Sequence, residues 1–129
     1  MWYEYINNII FLKKLYCQVP ELVHVRIHKI SLEDEGRKVA IVFDMPNFAD
    51  NIPEKWHNLG YNSLCVEVDF WFINDFQMSR NHLLMNGDIS ITKEDDLLHV
   101  YIKGTVNCHF KAEYAMIQKV SGYIKTELE

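Results

Sequence analysis

From Leu64 to Phe72 every second residue is apolar: Leu64, Val66, Val68, Phe70 and Phe72 alternate with Cys65, Glu67, Asp69 and Trp71. A side-chain period of two belongs to a strand with one buried face and one wet face. Residues 44–61 precede this run and form a long bridge that holds Pro46 and Pro53 together with Phe48, Trp56 and Tyr61. A merely flexible linker has no need of three aromatic rings, so the bridge itself is expected to pack, with Phe48 and Trp56 pinning it to the core.

The same alternation recurs along the chain. Val23, Val25 and Ile27 face one way, and His24, Arg26 and His28 face the other. The phase then slips, because Ile30 and Leu32 carry the apolar side onward, and the slip predicts a β-bulge near His28 or Lys29. Glu33-Asp34-Glu35-Gly36 reads as a turn, and Val39, Ile41, Phe43 and Met45 close a hairpin. Ile89 and Ile91, then Leu98, Val100 and Ile102, then Val106, Cys108, Phe110 and Ala112 give three more strands, turned at Glu94-Asp95-Asp96 and at Lys103-Gly104. Residues 74–88 read as a loop with a short strand.

Two stretches show helical spacing. Trp2, Tyr5, Ile6, Ile9, Ile10, Leu12 and Tyr16 predict an amphipathic helix over 2–16, with Pro20 preventing its continuation. Met116, Ile117, Val120, Ile124 and Leu128 predict a C-terminal helix with Tyr123 beside the stripe; Gly122 weakens it by about 1 kcal/mol relative to Ala. The expected fold is therefore α+β: a single antiparallel, strongly twisted sheet of about six strands, with an N-terminal and a C-terminal helix covering one face. Residues 1–129 are expected to form one domain.

Composition narrows the function. A hydrophobic content of 49% with 24% charged residues is that of a globular chain. A net charge of -5 argues against nucleic acid, which requires clustered Lys and Arg, and is compatible with a basic protein partner. No apolar run is long enough to span a membrane. The N-terminus lacks the basic region of a secretory signal, and Glu4, Asn7 and Asn8 interrupt its apolar residues. Cys17, Cys65 and Cys108 are odd in number and widely spaced, which speaks against a zinc site or a disulfide framework and for buried or partly buried thiols in a reducing cytoplasm.

The wet face carries His24, Arg26, His28, Asp44, Glu67, Asp69, Trp71, His99, Tyr101, Lys103, Asn107, His109 and Glu113. His99 and His109 could meet across the hairpin turned at Gly104, with Glu67 supplying oxygen, as in a small metal-dependent hydrolase or ligand-binding domain. Glu67 and Asp69, about 6.7 Å apart along a strand, could act as an acid–base pair. Both patterns are common on solvated strand faces, and no phosphate loop, nucleophile elbow or HExxH motif accompanies them. We therefore assign no catalytic residue, metal or cofactor. A polar face bearing Trp71 and Tyr101 among charges of both signs suits protein recognition instead.

An ordered series of short pieces gives the chain a family likeness. It runs from Met1-Trp2-Tyr3 through Leu15-Tyr16, Val19-Pro20, Val25-Arg26-Ile27-His28 and Phe43-Asp44-Met45-Pro46. It continues with Pro53-Glu54-Lys55-Trp56, Gly60-Tyr61-Asn62 and Val66-Glu67-Val68-Asp69-Phe70, and ends at Ile117-Gln118-Lys119-Val120-Ser121-Gly122-Tyr123. In these pieces the chain resembles immunity protein family fifty of bacterial polymorphic toxin systems. The resemblance implies a cytoplasmic, non-enzymatic protein that binds and neutralises the C-terminal domain of a cognate toxin. The charge and the lack of an apolar span add the expectation of no nucleic-acid or membrane partner, and the chain is expected to be a monomer or homodimer. On that reading the expected contacts are Asp44, Glu67, Asp69, Trp71 and Tyr101. Cys65 departs from the polar residue ordinarily found on a wet face.

Overall fold

A computed structural model describes residues 1–126, and its principal feature is one eight-stranded antiparallel sheet in the order β4-β7-β6-β5-β1-β2-β3-β8. The strands are β1 (Leu22–Glu33), β2 (Lys38–Asp44), β3 (Ser63–Trp71), β4 (Asn74–Arg80), β5 (Met85–Glu94), β6 (Leu97–Gly104), β7 (Val106–Ala112) and β8 (Tyr114–Tyr123). Two short α-helices, α1 (Ile10–Leu15) and α2 (Glu54–Asn58), and 3-10 turns at Trp2–Tyr5 and Asp34–Gly36 complete the elements. The expected six-stranded α+β fold with covering helices is thus corrected to a mostly-sheet fold.

The register shows why no covering helices are needed. Ser63 pairs with Tyr123 and Trp71 with Tyr114 along β3 and β8; Asn74 then pairs with Lys111 and Arg80 with Val106 along β4 and β7. Residues 63–80 and 106–123 therefore form one long antiparallel ribbon, bent at Phe72-Ile73 and Glu113. Phe72 takes a left-handed φ of 64° at this corner, its N–H donates to Arg37 O at 2.7 Å, and Glu113 N–H donates to Trp71 O at 3.0 Å. β1 turns a second corner: its residues 22–27 pair with β5 and residues 27–33 with β2, and the register shifts between Ile27 and Lys29. That shift is the bulge expected near His28, and strands that change sheet commonly do so at such bulges.

Between these corners the sheet doubles back and covers its own apolar face. The rings of Phe70 on β3 and Phe110 on β7 lie edge to face with centroids 5.2 Å apart. In a flat sheet five strand spacings would separate them by roughly 24 Å. Val39, Ile41, Phe43, Val66, Val68, Ile89, Val100 and Ile102 fill the space between the halves. The alternate residues face outward on the convex side.

The N-terminus serves as an edge strip instead of a long helix. Trp2 is buried, donates Nε1–H to Pro20 O at 2.9 Å and packs edge-on to Phe43. Asn7 makes a parallel bridge to Met116 on β8, and Asn8, at φ 65°, donates its side-chain amide to Ile117 O at 2.9 Å. These two asparagines end the helical pattern and satisfy part of the free edge of β8, a position that invites mispairing when left open.

The C-terminal stretch is strand, not helix: Ala115 and Ile117 point inward on β8, and Leu128 of the expected helix lies outside the described residues. Gly122 belongs to this strand because rings pack on it. A Cβ there would fall 2.5 Å from the Tyr61 ring and 2.9 Å from Trp56. Phe11 and Phe48 complete the cluster around Trp56, so the long bridge packs on the body through its aromatic rings, as its composition suggested.

Candidate functional site

The outer face of β1, β2, β3 and β8 gathers most of the residues singled out from the sequence. Register places Asp44 beside Cys65, Val42 beside Glu67, Ala40 beside Asp69 and Lys38 beside Trp71. Asp44 and Asp69, expected to be solvated, are buried at 5% and 3% relative exposure. Glu67 and Trp71 are half-buried. Tyr101 stands apart on β6, four strand spacings from β3 along the sheet, or roughly 19 Å before curvature is considered. The structure therefore places four of the five expected contact residues on one face, with Asp44 and Trp71 at its opposite ends, and the fifth on the other half of the sheet.

Asp44 is the hub of the first cluster. His28 Nε2 lies 2.8 Å from its Oδ1, Tyr123 Oη lies 2.8 Å from both oxygens, and Lys125 Nζ lies 2.9 Å from Oδ2. The His28 bulge on β1, the end of β8 and the segment beyond it thus converge on one carboxylate at the end of β2. Burial by itself would raise the Asp44 pKa; hydrogen bonds from Lys125, His28 and Tyr123 outweigh it and hold the carboxyl below its ordinary value of 3.8. Tyr123 and Lys125 escaped sequence reasoning because the segment around them reads as helical. The β-branched content of Ile117, Val120 and Ile124 was the available signal for a strand.

Donor atoms of His28, Asp44 and Cys65 lie within 4.8 Å of one another, a set that could be considered for a metal. The lone pairs of Asp44 are directed at an ammonium, a phenol and an imidazole, and burial pushes the Cys65 thiol up to about 11, so it remains protonated. As it stands, the arrangement is a hydrogen-bonded clasp.

A second cluster surrounds Lys38. Its ammonium lies 3.2 Å from Asp69 Oδ2, 3.6 Å from Glu33 and 5.4 Å from the Trp71 ring centroid. Among the described residues, the other oxygen of Asp69 is buried with no hydrogen-bond partner. Glu67 sits opposite Lys119 in register. Glu67 and Asp69, two apart on the outer face of β3, therefore occupy unlike environments, the first half-buried opposite Lys119 and the second buried beside Lys38.

On the other half of the sheet, Tyr101 and His109 stack with centroids 4.4 Å apart and 6° between planes, and His99 lies over His109 at 6.5 Å. Across the β6–β7 hairpin the register pairs His109 with Tyr101 and His99 with Lys111, so the two histidines are diagonal neighbours and not the facing pair expected. Glu67, their expected oxygen donor, lies on β3 in the opposite half. His99 is instead 3.7 Å from Glu94. Of the three cysteines, Cys108 is buried and Cys65 half-buried, but Cys17 is exposed, contrary to expectation.

Residues 8–123 match the family described as Immunity protein 50. No curated protein matches the chain. Among solved structures, the chain is similar to an uncharacterized protein from Neisseria gonorrhoeae at a TM-score of 0.50 and 14% identity, covering 75% of this chain and 92% of that one. At that identity the likeness concerns the fold alone. No helix among the described residues is long and apolar enough to cross a membrane.

Proposed function

Because the chain belongs to the Immunity protein 50 family, we propose that it binds the C-terminal domain of a cognate bacterial toxin in the cytoplasm and neutralises it by occlusion, without chemistry of its own. The family match is the observation that carries this reading. The outer face of β1, β2, β3 and β8 supports it physically. Its strands are held in place by buried ion pairs, so an interface built on it needs little ordering on binding. Glu67 and Trp71 are the accessible contacts on that face, and Tyr101 contributes from the other half if the toxin wraps around the sheet. Asp44 holds the face in shape from beneath through its bonds to His28, Tyr123 and Lys125. The net charge of -5, with acidic turns at Glu33–Glu35 and Glu94–Asp96, steers a basic toxin toward the protein.

The test is co-purification with the C-terminal domain of the neighbouring gene product, followed by an affinity measurement and a toxicity assay. Nanomolar binding with loss of toxicity is expected. Trp71→Ala together with Glu67→Lys should weaken binding by about 2 kcal/mol or more. Tight binding that the double variant leaves unchanged would move the interface to another face, and no binding would remove the proposal.

A further inference from the structure

At the β1 corner of the outer face lies a cavity of about 290 Å³, lined in part by His24, Arg26, Asp44, Leu84, Asn86 and Lys125. In a chain of net charge -5 its lining is cationic. The carboxylate of Asp44 is already bonded to His28, Tyr123 and Lys125. Arg26 is half-buried, and among the described residues its guanidinium has no ion-pair or hydrogen-bond partner. A guanidinium partly removed from water without an anion is costly, and a partner's carboxylate would satisfy its planar fork with two parallel bonds. Leu84 lines the cavity and is 44% exposed; its chain neighbour Leu83 is 81% exposed, and Ile124, the chain neighbour of Lys125, is 56% exposed. His24 sits at the edge with a left-handed φ of 53°, its N–H bonded to Asp88 Oδ1 at 2.7 Å. Such strain in a non-glycine residue is often kept at binding sites.

We propose that this cavity receives a carboxylate side chain from a partner protein, gripped by Arg26 and flanked by apolar residues that pack on Leu83, Leu84 and Ile124. Resting on the reading above, that partner is the toxin domain. The acidic turns steer the encounter, while Arg26 sets register and specificity at one end of the docked face. A toxin basic overall but lacking the carboxylate would leave Arg26 desolvated and unpaired, which discriminates against it.

Calorimetric titration of the toxin domain encoded beside this chain tests the proposal. Arg26→Gln should weaken binding about 30-fold or more. Arg26→Lys should recover only part of the loss, because an ammonium cannot make the two parallel bonds. Leu83→Asn, at a position folding does not use, should cost about fivefold. Wild-type affinity in both Arg26→Gln and Leu83→Asn would overturn the proposal while leaving the toxin-binding reading intact. If the wild-type protein itself ignores the toxin domain, that reading falls and the cavity is judged by a peptide probe. Acetyl-Leu-Glu-Leu-amide should shift the Arg26 Nε–H resonance and the Leu83 and Leu84 amides, and its Gln counterpart should not. Equal responses to both peptides, or none up to about 10 mM, would overturn the carboxylate site.

Discussion

Asp44 on β2 and Asp69 on the neighbouring strand β3 are both buried on the outer face, yet their surroundings differ. Asp44, at the end of β2, has both oxygens engaged by donors from β1, β8 and the segment after β8. Asp69, within β3, has one oxygen on Lys38 at 3.2 Å and the other buried without a partner. The first carboxylate ties together segments distant in sequence. The second sits beneath Lys38 and Trp71 and ties little. Burial alone therefore does not measure what a charge contributes; the number and origin of its donors do.

The same substitution at both positions sharpens the comparison. Asp44→Asn replaces one oxygen with an amide that cannot accept from Tyr123, Lys125 or His28, so donor is set against donor. We expect a loss of roughly 2–3 kcal/mol, the usual scale for hydrogen bonds to a charged group, seen as a lower urea midpoint with an unchanged slope. A loss below about 0.5 kcal/mol would mean that the clasp contributes nothing net.

A smaller effect follows from pH. Asp44 has a folded pKa below its ordinary 3.8. A depressed carboxyl pKa contributes stability that is present above the unfolded value and is lost as pH falls through the folded value. Wild type should therefore lose stability in acid, and its advantage over Asp44→Asn should shrink as pH drops below about 4. Protonation leaves both oxygens in place, so this loss is smaller than that from substitution. Urea midpoints for the two proteins between neutral pH and acid check it; a constant difference across that range would contradict the assigned shift.

The local parts of this architecture were legible in the sequence, and the long-range parts were not. The phase slip at His28 gave away the bulge because it fell inside a clear alternation. Asp95 and Asp96, both at left-handed φ, make the β5–β6 turn where their composition put it. The C-terminal strand was hidden by a bulge of its own. Glu67 pairs with Lys119 and Val68 with Ile117, which leaves Gln118 extra. Ile117 and Val120 thus both serve the inner face at a spacing of three, which imitates a helix. β4 shows no alternation because most of its residues are exposed on an edge. The ribbon that closes the sheet pairs residues 63–80 with 106–123, and no local pattern encodes that meeting. The clasp on Asp44 was missed for the same reason: His28, Tyr123 and Lys125 reach it only after both corners have formed.

The smallest expected effect is at Asp69, where the comparison is most easily broken. In Asp69→Asn the retained oxygen can still accept from Lys38, and the new amide can occupy the place of the oxygen that had no partner, so no donor meets a donor. The substitution removes a buried negative charge whose attraction to Lys38 is already offset by desolvation. Lys38 keeps Glu33 at 3.6 Å and the Trp71 ring at 5.4 Å. We expect a stability within about 1 kcal/mol of wild type, measured by the same urea titration. A loss equal to that of Asp44→Asn would show that one well-placed cation anchors a buried carboxylate as firmly as three donors do, and the distinction between the two aspartates would fail.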